Sequence, residues 1–458
     1  MTRVAARAAL CQPEPMARSR LALVLAAMTT ALAPAAAAAH GPCAGNPACA
    51  APNDPLFPQQ WALQNDADTI QPTGPPHPVA GADIDAAFAW SLTTGEPGTK
   101  IAIVDSGIDV THEDLHDKVV ASETFKGSPG GYDNVGHGTA VAGLAAALTN
   151  NGRGIAGVAP NASLMNAKVS DDPSGATTCS VIADAIIWAT DNGANVINVS
   201  SGGPAGCFHL NEAVNYAASH DVLVVAAAGN NGDSTPNYPA AYSRVLAVGA
   251  TDNADARWPL SSHGAGWVDL AAPGVDVVTT LPAYPNSFGA EGYGEVQGTS
   301  FAAPLVTGAA ALLWPSTEDE NGDGHKSDDV AARLLKYADP IAGTGTDWGA
   351  GRLNVCRAVA AGARRCPPPT EPLPRPITRK QARAQAAKAL ARRFGAAFAQ
   401  RRRYRATCKL LDPRHARCEV SWRRLPYRYR GTVWVAYRRV SGSPTWTSHV
   451  KVSRKRTS

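Results

Sequence analysis

Long apolar runs, metal-type cysteine spacings and C-terminal acidic residues are all scarce in this sequence of 458 residues. The apolar run near the N-terminus covers about residues 21 to 32, which is too short for a membrane-spanning helix of ~20 residues. The cysteines show no Cys-x-x-Cys spacing with nearby histidines, which argues against a zinc-type centre. A transmembrane anchor and a cysteine-based metal site are therefore both disfavoured.

The apolar run near the N-terminus has the features of an export signal. Arg18 and Arg20 precede it, and an alanine-rich stretch ending at Ala39 follows it. This pattern predicts a signal peptide over residues 1–39 with cleavage near Ala39, and Met16 is an alternative start. The sequence therefore predicts a secreted, extracellular protein that retains no transmembrane segment after cleavage.

Cysteine usage agrees with export. Removal of residues 1–39 takes away Cys11 and leaves eight of the nine cysteines, an even number that suits disulfides in an oxidising compartment. Many pairings are possible, and proximity in the sequence favours four local pairs: Cys43 with Cys49, Cys179 with Cys207, Cys356 with Cys366, and Cys408 with Cys418.

The near absence of acidic residues after Cys366 divides the chain electrostatically. From Pro367 onward, 24 Lys and Arg face 3 Asp and Glu, a net charge of +21 that leaves residues 1–366 at −17 within a chain of +4. The Pro-rich segment PPPTEPLPRP predicts a semi-rigid spacer at this change. We therefore expect an acidic N-terminal domain, a linker over residues 363–377 and a basic module over residues 378–458.

Three motifs in the N-terminal part carry the residue types of nucleophilic catalysis. They are IAIVDSGID with Asp105, GHGTAVAG with His137, and GTSFAAP with Ser300. A serine hydroxyl is a weak nucleophile, so it needs a base within hydrogen-bond reach and a third group that fixes the tautomer of that base. The apolar run before Asp105 predicts a buried parallel strand that delivers the carboxylate at its C-terminal end.

The order Asp, His, Ser and the sequences around these residues resemble the subtilisin family of secreted serine endopeptidases. Further similar segments are ANVINVSSGGP, VLVVAAAGNNG, YPAAYSRVLAVGAT and VDLAAPGVDVVTT, and the resemblance runs over about residues 53 to 360. It implies an α/β class with a subtilisin-like three-layer fold and a mostly parallel central sheet over residues 40–362. The remainder is expected to be a small basic α+β module.

The resemblance also implies roles for individual residues. Asn230 matches the asparagine of the family's oxyanion hole, where a donor aimed at the developing charge contributes about 2.7 to 4 kcal/mol. Ser200, Ser201, Gly202 and Gly203 match the edge that pairs with the substrate backbone. Ala227 and Gly229 match part of the S1 pocket wall. Phe301 and Leu305 depart from the Met and His that are usual in the family, which affects specificity rather than the catalytic atoms.

Structural Ca²⁺ is the cofactor that the resemblance implies, and no catalytic cofactor is expected. The matching ligand positions are Asp54, Asp114 and Asn151, whose hard oxygen atoms suit this ion; an Asn-Gly turn with a capping Asp is the alternative. A second acidic segment, residues 319–330, begins like an EF-hand loop but has Val330 at the twelfth place. There the alternative is an acidic turn before a helix capped by Ser327.

The C-terminal module resembles no family that we recognise. Helical spacing predicts a helix over residues 378–400, and three later alternating stretches predict a small antiparallel sheet with Cys408 and Cys418 across a hairpin. Its charge could bind cell-wall polymers, anionic lipid or nucleic acid, could form a solvated face, or could dock on the acidic domain. Four aromatic residues among its arginines, Trp422, Tyr427, Tyr429 and Trp434, would suit stacking on bases.

Two function classes follow from these observations. The first is a secreted, monomeric serine endopeptidase that cleaves proteins or peptides and is localised to a polyanion or an anionic surface by its basic module. The second is a catalytically silent binding or adhesion protein that uses the same fold as a scaffold. The presence of Asp105, His137, Asn230 and Ser300 together favours the first, because a silent relative has no need to keep them.

Overall fold

The computed structural model describes residues 10–11, 51–65, 78–361, 366, 379–399, 402–410, 415–424, 427–440 and 443–456. The predicted linker, apart from Cys366, and nearly all of the predicted signal peptide lie outside these residues, as do Cys43 and Cys49. The chain forms two compact units, Met1–Thr370 and Glu371–Ser458, which are described separately.

The first unit alternates strands and helices, as expected for an α/β fold. Its helices are α1 (Ala86–Ala89), α2 (His137–Ala146), α3 (Cys179–Asp191), α4 (Phe208–Ser219), α5 (Thr299–Leu313), α6 (Lys326–Lys336) and α7 (Val355–Val359). Its strands are β1 (Leu10–Cys11), β2 (Lys100–Asp105), β3 (Val119–Thr124), β4 (Ser163–Lys168), β5 (Thr177–Thr178), β6 (Val196–Val199), β7 (Leu223–Ala227), β8 (Val245–Thr251), β9 (Leu270–Pro273), β10 (Val277–Thr280) and β11 (Tyr293–Val296). Short 3₁₀ helices cover Phe57–Gln59 and Trp314–Ser316.

A seven-stranded parallel sheet forms the centre of this unit, with strand order β3-β4-β2-β6-β7-β8-β9. Its inner strands are continuous apolar runs because both faces are covered. In β2, Ile101 and Ile103 enter one hydrophobic core, whereas Ala102 and Val104 enter the other. Outside this sheet, β10 pairs with β11 and β1 pairs with β5, both antiparallel.

Helices cover both faces of the sheet and complete three layers. α2 and the wholly buried α5 lie on the side of the core that contains Ile101, and α3 and α4 lie on the side that contains Ala102. The buried run of small residues in α5 lets this helix pass close to α2, where a Cβ on Gly308 would lie 2.7 Å from Ala145 O. The predicted subtilisin-like three-layer fold with a parallel central sheet is confirmed.

A buried charge network lies beside strand β9, with which Arg352 forms a bridge at Ala271. Arg352 is 1% exposed and forms ion pairs with Asp255 and, at 3.0 Å, with Asp339. Asn354 Nδ2 donates to Asp339 at 2.8 Å and to Asp85 at 2.7 Å. The network joins the segment before α1 to the segment before α7, so it fixes the end of this unit to its beginning.

The second unit is a small α+β domain, as predicted. Helices α8 (Arg379–Phe394) and α9 (Ala396–Ala399) precede an antiparallel sheet with order β12-β13-β14-β15. The strands are β12 (Arg402–Leu410), β13 (His415–Arg424), β14 (Tyr427–Val440) and β15 (Ser443–Arg456). Leu390 and Phe398 from the helices pack with Trp422, Val433 and other inward residues of the sheet into one core. Strands β14 and β15 extend beyond the stretches predicted from the sequence.

Two of the predicted disulfides are present, Cys356–Cys366 and Cys408–Cys418. The second joins β12 and β13 at directly paired positions, as expected for a hairpin. The predicted Cys179–Cys207 bond is not among the disulfides of the described residues. Cys179 Sγ is directed at Ala205 O, 3.9 Å away, and burial, followed by the interaction with Cys179, raises the pKa of Cys207 to about 11.

Among the residues that the structure describes, no helix is long and apolar enough to cross a membrane.

Candidate active site

Asp105 and His137 are brought together by the sheet and the helix beside it. Asp105 ends β2, His137 begins α2, and Asp105 Oδ1 lies 2.8 Å from His137 Nδ1. The Asp105 side chain is 4% exposed and that of His137 is 17% exposed, so the imidazole alone is open to solvent. This close approach depends on Gly138, because a Cβ there would lie 2.1 Å from Gly107 O.

The charge state of His137 is set by opposing effects. Burial lowers the pKa of His137, whereas the charge of Asp105, its hydrogen bond and the charge of Asp133 raise it, and the net pKa lies above the usual 6.5. The imidazolium that forms when this side chain accepts a proton is therefore stabilised by two carboxylates. Sequence motifs identified Asp105 but missed Asp133, which is buried just before α2.

Ser300 lies in the first turn of α5. The residue before this helix is Gly298, whose φ of 142° is unfavourable for other residues. Ser300 Oγ donates to Ser200 O at 3.1 Å, and Ser200 Oγ donates to Ser300 O at 2.9 Å. These reciprocal bonds join the nucleophile's helix to the segment after β6. The serine is 9% exposed, so it is shielded but reachable.

The side-chain amide of Asn230 is held in place by hydrogen bonds to its oxygen atom. Its Oδ1 accepts from Thr299 N at 3.0 Å and from Thr299 Oγ1 at 2.9 Å. Because these two bonds engage the oxygen, the Nδ2 end of the amide is the end left to donate elsewhere. Thr299 in turn accepts from Gly229 N through the same hydroxyl at 3.0 Å. The sequence pattern missed this role of Thr299, although GTS places it next to the nucleophile.

The residues of the predicted substrate edge differ in their exposure and in their main-chain bonding. Ser200 is tied to Ser300, and Ser201 and Gly202 are partly exposed. Gly203 instead forms a two-bond bridge with Tyr238, through Gly203 N to Tyr238 O at 3.0 Å and Tyr238 N to Gly203 O at 2.8 Å. Both main-chain groups of Gly203 are therefore engaged within the protein.

The predicted S1 wall follows the end of β7. Ala227 is partly buried, and Gly229 adopts a φ of 103° with Asn237 packed against it. A Cβ on Gly229 would lie 2.6 Å from Asn237 Nδ2, so a side chain there would collide with a buried amide. Ser262 N donates to Gly229 O at 2.8 Å, which fixes the same peptide from the other side.

The three predicted calcium ligands lie together. Asp54 Oδ2 and Oδ1 accept from the N–H groups of Asn150 and Asn151 at 2.9 and 3.1 Å, and Asn151 Nδ2 donates to Asp114 Oδ1 at 2.8 Å. Burial raises the pKa of Asp54 and the charge of Asp114 adds to this, while the backbone hydrogen bonds lower it. Two carboxylates that repel each other in a buried loop fit a hard divalent cation.

No group of three or more His, Cys, Asp or Glu side chains suited to a metal occurs among the described residues. A cation bound by Asp54 and Asp114 would therefore need amide or main-chain oxygens as well, which Ca²⁺ accepts readily.

In the second acidic segment, residues 319–330, Asp319 accepts from Gly322 N and Gly324 N at 2.8 and 2.9 Å. The helix that ends this segment, α6, begins at Lys326, and its N-cap residue is His325. Ser327 is therefore not the N-cap that we predicted.

The C-terminal unit presents a basic surface, here called the basic sheet face. Its members lie on the side of the sheet that faces away from α8: Arg405, Lys409, Arg417, Arg423, Arg428, Arg430, Lys451 and Lys455. Register places Arg423, Arg428 and Lys455 side by side on three strands. Arg430, followed by burial and Arg423, lowers the pKa of Arg428, which reflects this crowding of like charge.

The aromatic residues that we predicted for base stacking do not form part of this surface. Trp422 and Tyr429 are buried and stack on each other at 4.7 Å between ring centroids. Tyr427 lies beneath the guanidinium of Arg454 at 4.9 Å. These three rings serve the core and its border, so stacking on bases by them is not supported; the side chain of Trp434 lies outside the described structure.

Comparison with known proteins agrees with the geometry of the site. A family model described as the subtilase family matches residues 96–363. Thermitase from Thermoactinomyces vulgaris is 44% identical over 277 residues, which cover 60% of this chain and 93% of thermitase. A thermophilic serine proteinase from a Bacillus species is 44% identical over 275 residues, which cover 59% of this chain and 64% of the relative.

A solved structure of a protease from Pseudoalteromonas arctica superposes with a TM-score of 0.58 at 28% identity, covering 68% of this chain and 99% of that one. The family model ends at residue 363, within the first unit.

Proposed function

The chain belongs to the subtilase family of serine endopeptidases, and from that premise we propose that it hydrolyses peptide bonds through Asp105, His137 and Ser300. The observation that carries this proposal is the 2.8 Å contact of Asp105 with His137, whose ring lies 5.2 Å from that of Phe301, the residue after Ser300. Position and chemistry of all three agree with a nucleophile, its base and the residue that orients the base.

In the proposed reaction, Ser300 Oγ attacks the substrate carbonyl carbon while His137 accepts the hydroxyl proton. The bond from Ser300 Oγ to Ser200 O is given up in this step. Asp105 accepts the Nδ1–H of His137, which leaves Nε2 as the basic atom and stabilises the imidazolium. His137 then donates the proton to the leaving amine, and water hydrolyses the acyl-enzyme by the same route in reverse.

Negative charge develops on the former carbonyl oxygen during both steps. We propose that Asn230 Nδ2 and the N–H of Ser300 bind that oxygen. The fixed bonds from Thr299 to Asn230 Oδ1 support this role, because a donor that needs no reorientation stabilises the transition state most effectively. The substrate backbone would pair with residues 200–202, and its P1 side chain would enter beside Ala227 and Gly229.

The test is covalent labelling by a fluorophosphonate together with hydrolysis of casein. Wild type is expected to label and to cleave, and Ser300→Ala is expected to do neither. Ser219→Ala is the matched control, since Ser219 is an exposed serine on α4 that bonds only within its own helix turn. Failure of folded wild type to label would support the alternative of a catalytically silent scaffold.

We also propose that the protein is secreted and that Ca²⁺ stabilises its first unit. Export is supported by the signal-like N-terminus, and N-terminal sequencing of protein from culture medium is expected to begin near His40. Calcium is supported by the convergence of Asp54, Asp114 and Asn151. When bound there, the ion would neutralise two adjacent carboxylates and would play no part in peptide hydrolysis.

For the C-terminal unit we propose binding to polyanions through the basic sheet face. Among the side chains that the structure describes, eight cations and a single carboxylate, Glu419, occupy this side of the sheet, and Glu419 is paired with Arg417 at 2.9 Å. Neighbouring strands are about 4.8 Å apart, so the row Arg423, Arg428, Lys455 places positive charges at close and regular intervals. A chain of negative charges would relieve their repulsion.

The experiment is a salt titration of binding to heparin and to a 20-base-pair DNA duplex. Replacement of Arg423, Arg428 and Lys455 by Gln should weaken binding and reduce the salt slope by about 2 to 3. The control replaces Arg383, Lys388 and Arg392, three exposed cations of α8, and so changes the net charge equally. Equal losses in both variants would refute a role specific to the sheet face.

A further inference from the structure

Asp133 is a fully buried carboxylate, and both of its oxygen atoms accept hydrogen bonds. Its Oδ1 accepts from Ser106 Oγ at 2.8 Å and from Gly136 N at 2.7 Å. Its Oδ2 accepts from both the N–H and the hydroxyl of Thr139 at 2.7 Å. These partners surround His137 on both sides in the sequence, although Asp133 itself does not bond to the imidazole.

The bonds to Gly136 and Thr139 fix the first turn of α2. The first N–H groups of a helix have no partner within it, and a carboxylate is the most favourable group to satisfy them. Gly136, which occupies the capping position, has no side chain for this purpose. Asp133 therefore supplies from the preceding loop the cap that holds the turn containing His137.

Ser106 extends the same connection to Asp105. The Ser106 hydroxyl donates to Asp133 and accepts from Gly138 N at 2.9 Å, and Ser106 directly follows Asp105 in the chain. The residue after the orienting carboxylate and the residue after the base are thus joined through one hydroxyl. Movement of β2 relative to α2 would break this bond before it separated Asp105 from His137.

We propose that Asp133 is a positioning residue of the catalytic site, which holds His137 against Asp105 through Ser106 and the first turn of α2. The inference rests on the proposed peptidase function. The proposed role of Asp133 is to fix the geometry of the site, without contact to the substrate. The negative charge of Asp133 has a second effect, because it contributes to the raised pKa of His137.

The first experiment compares Asp133→Asn with wild type in the hydrolysis of a short chromogenic peptide. We expect kcat to fall about tenfold to a hundredfold, as for small displacements of a reacting group, with KM little changed. Loss of the Asp133 charge favours the neutral imidazole of His137, so the acidic limb of the kcat/KM profile should move to lower pH. Asp329→Asn, which removes a buried carboxylate of α6 that accepts from Glu320 N, is the control.

A second pair of variants covers the case in which Asp133→Asn does not fold. Ser106→Ala removes the bridging hydroxyl, and Ser106→Thr retains one. We expect kcat of Ser106→Ala to fall about tenfold while Ser106→Thr stays near wild type. Thermal unfolding monitored in parallel separates loss of position from loss of fold.

The outcomes distinguish this inference from the proposed function. Wild type that labels with fluorophosphonate, together with a folded Asp133→Asn whose kcat and pH profile match wild type, would overturn the positioning role and leave the peptidase intact. Equal kcat for Ser106→Ala and Ser106→Thr would do the same if Asp133→Asn is unfolded. A wild type that does not label would instead overturn the proposed function itself.

Discussion

Thr299 Oγ1 donates to Asn230 Oδ1 at 2.9 Å, so the residue before Ser300 fixes the orientation of the asparagine amide. We predict that Thr299→Val lowers kcat about tenfold because Asn230 then loses one of two bonds that orient it. Asn230→Ala should lower kcat about a hundredfold to a thousandfold. Steady-state kinetics on a peptide substrate measure both effects.

Thr299→Ser is the control for that prediction, since it keeps the hydroxyl and removes only a methyl group. Its kcat should stay within about threefold of wild type. A loss as large as that of Thr299→Val would show that packing of the methyl group, rather than the hydrogen bond, supports Asn230.

The glycine after the base is predicted to be intolerant of a side chain. In Gly138→Ala the new Cβ would meet Gly107 O at 2.1 Å and Asp105 Cβ at 3.1 Å. Displacement of α2 should lower the free energy of unfolding by about 1 to 3 kcal/mol and reduce kcat. Urea denaturation and kinetics measure these quantities. In Gly98→Ala no atom lies within 4 Å of the new Cβ, so unchanged stability is expected there.

The buried network around Arg352 predicts a pH-dependent stability term. Burial raises the pKa of Asp85 to about 6, and Arg352 opposes this. Because the folded pKa exceeds the unfolded value, ionisation of Asp85 costs stability as pH rises from about 4 to above 6. Asp85→Asn should therefore gain stability relative to its parent over this range, by up to about 3 kcal/mol.

Urea denaturation at pH 4.5 and pH 7 in a Ser300→Ala background, which prevents self-cleavage, tests that sign. Asp184→Asn is the control, because Asp184 is an exposed carboxylate with a side chain 56% accessible. A relative stability of Asp85→Asn that does not change between the two pH values would contradict the prediction.

Calcium is predicted to act at Asp54 rather than in the acidic turn after α5. Excess Ca²⁺ at about a hundred times its Kd should stabilise the protein by about 2.7 kcal/mol, and chelation should remove this increment. Asp54→Asn and Asn151→Ala should abolish the increment, whereas Asp323→Asn should retain it. Thermal unfolding of Ser300→Ala with calcium and with chelator measures it; abolition by Asp323→Asn alone would move the site to the other loop.

Much of this architecture was predictable because the strands before Asp105 and Ser200 are apolar on both faces, a pattern specific to buried parallel sheets. The same pattern fixed where each strand ends and therefore where Asp105 lies. The motifs also placed Asn230 after a buried strand and Ser300 at a helix start, as β7 and α5 have them. In the second unit, alternation predicted the antiparallel sheet, and the spacing of Cys408 and Cys418 predicted a hairpin.

The features that escaped prediction depend on contacts between segments distant in sequence. Asp133 becomes informative only when the loop before α2 folds back on Ser106, and the pairing of Gly203 with Tyr238 joins segments without any shared motif. Proximity in sequence also misassigned Cys179 and Cys207, because nearness along the chain does not establish that two sulfur atoms are bonded. The charged stretches of β13 and β14 suggested stacking aromatics, but alternation turns Trp422 and Tyr429 inward.

Strand β2 contributes side chains to both hydrophobic cores of the first unit, and this determines how activity should be lost on unfolding. Its side chains alternate between two hydrophobic cores, so a slip by one residue would exchange the contents of both and turn Asp105 to the wrong face. A molecule with either core disordered therefore cannot keep the carboxylate beside His137. Proteolytic activity should consequently disappear in a single cooperative transition with the fold of the first unit, and partially unfolded forms should be unable to digest their neighbours.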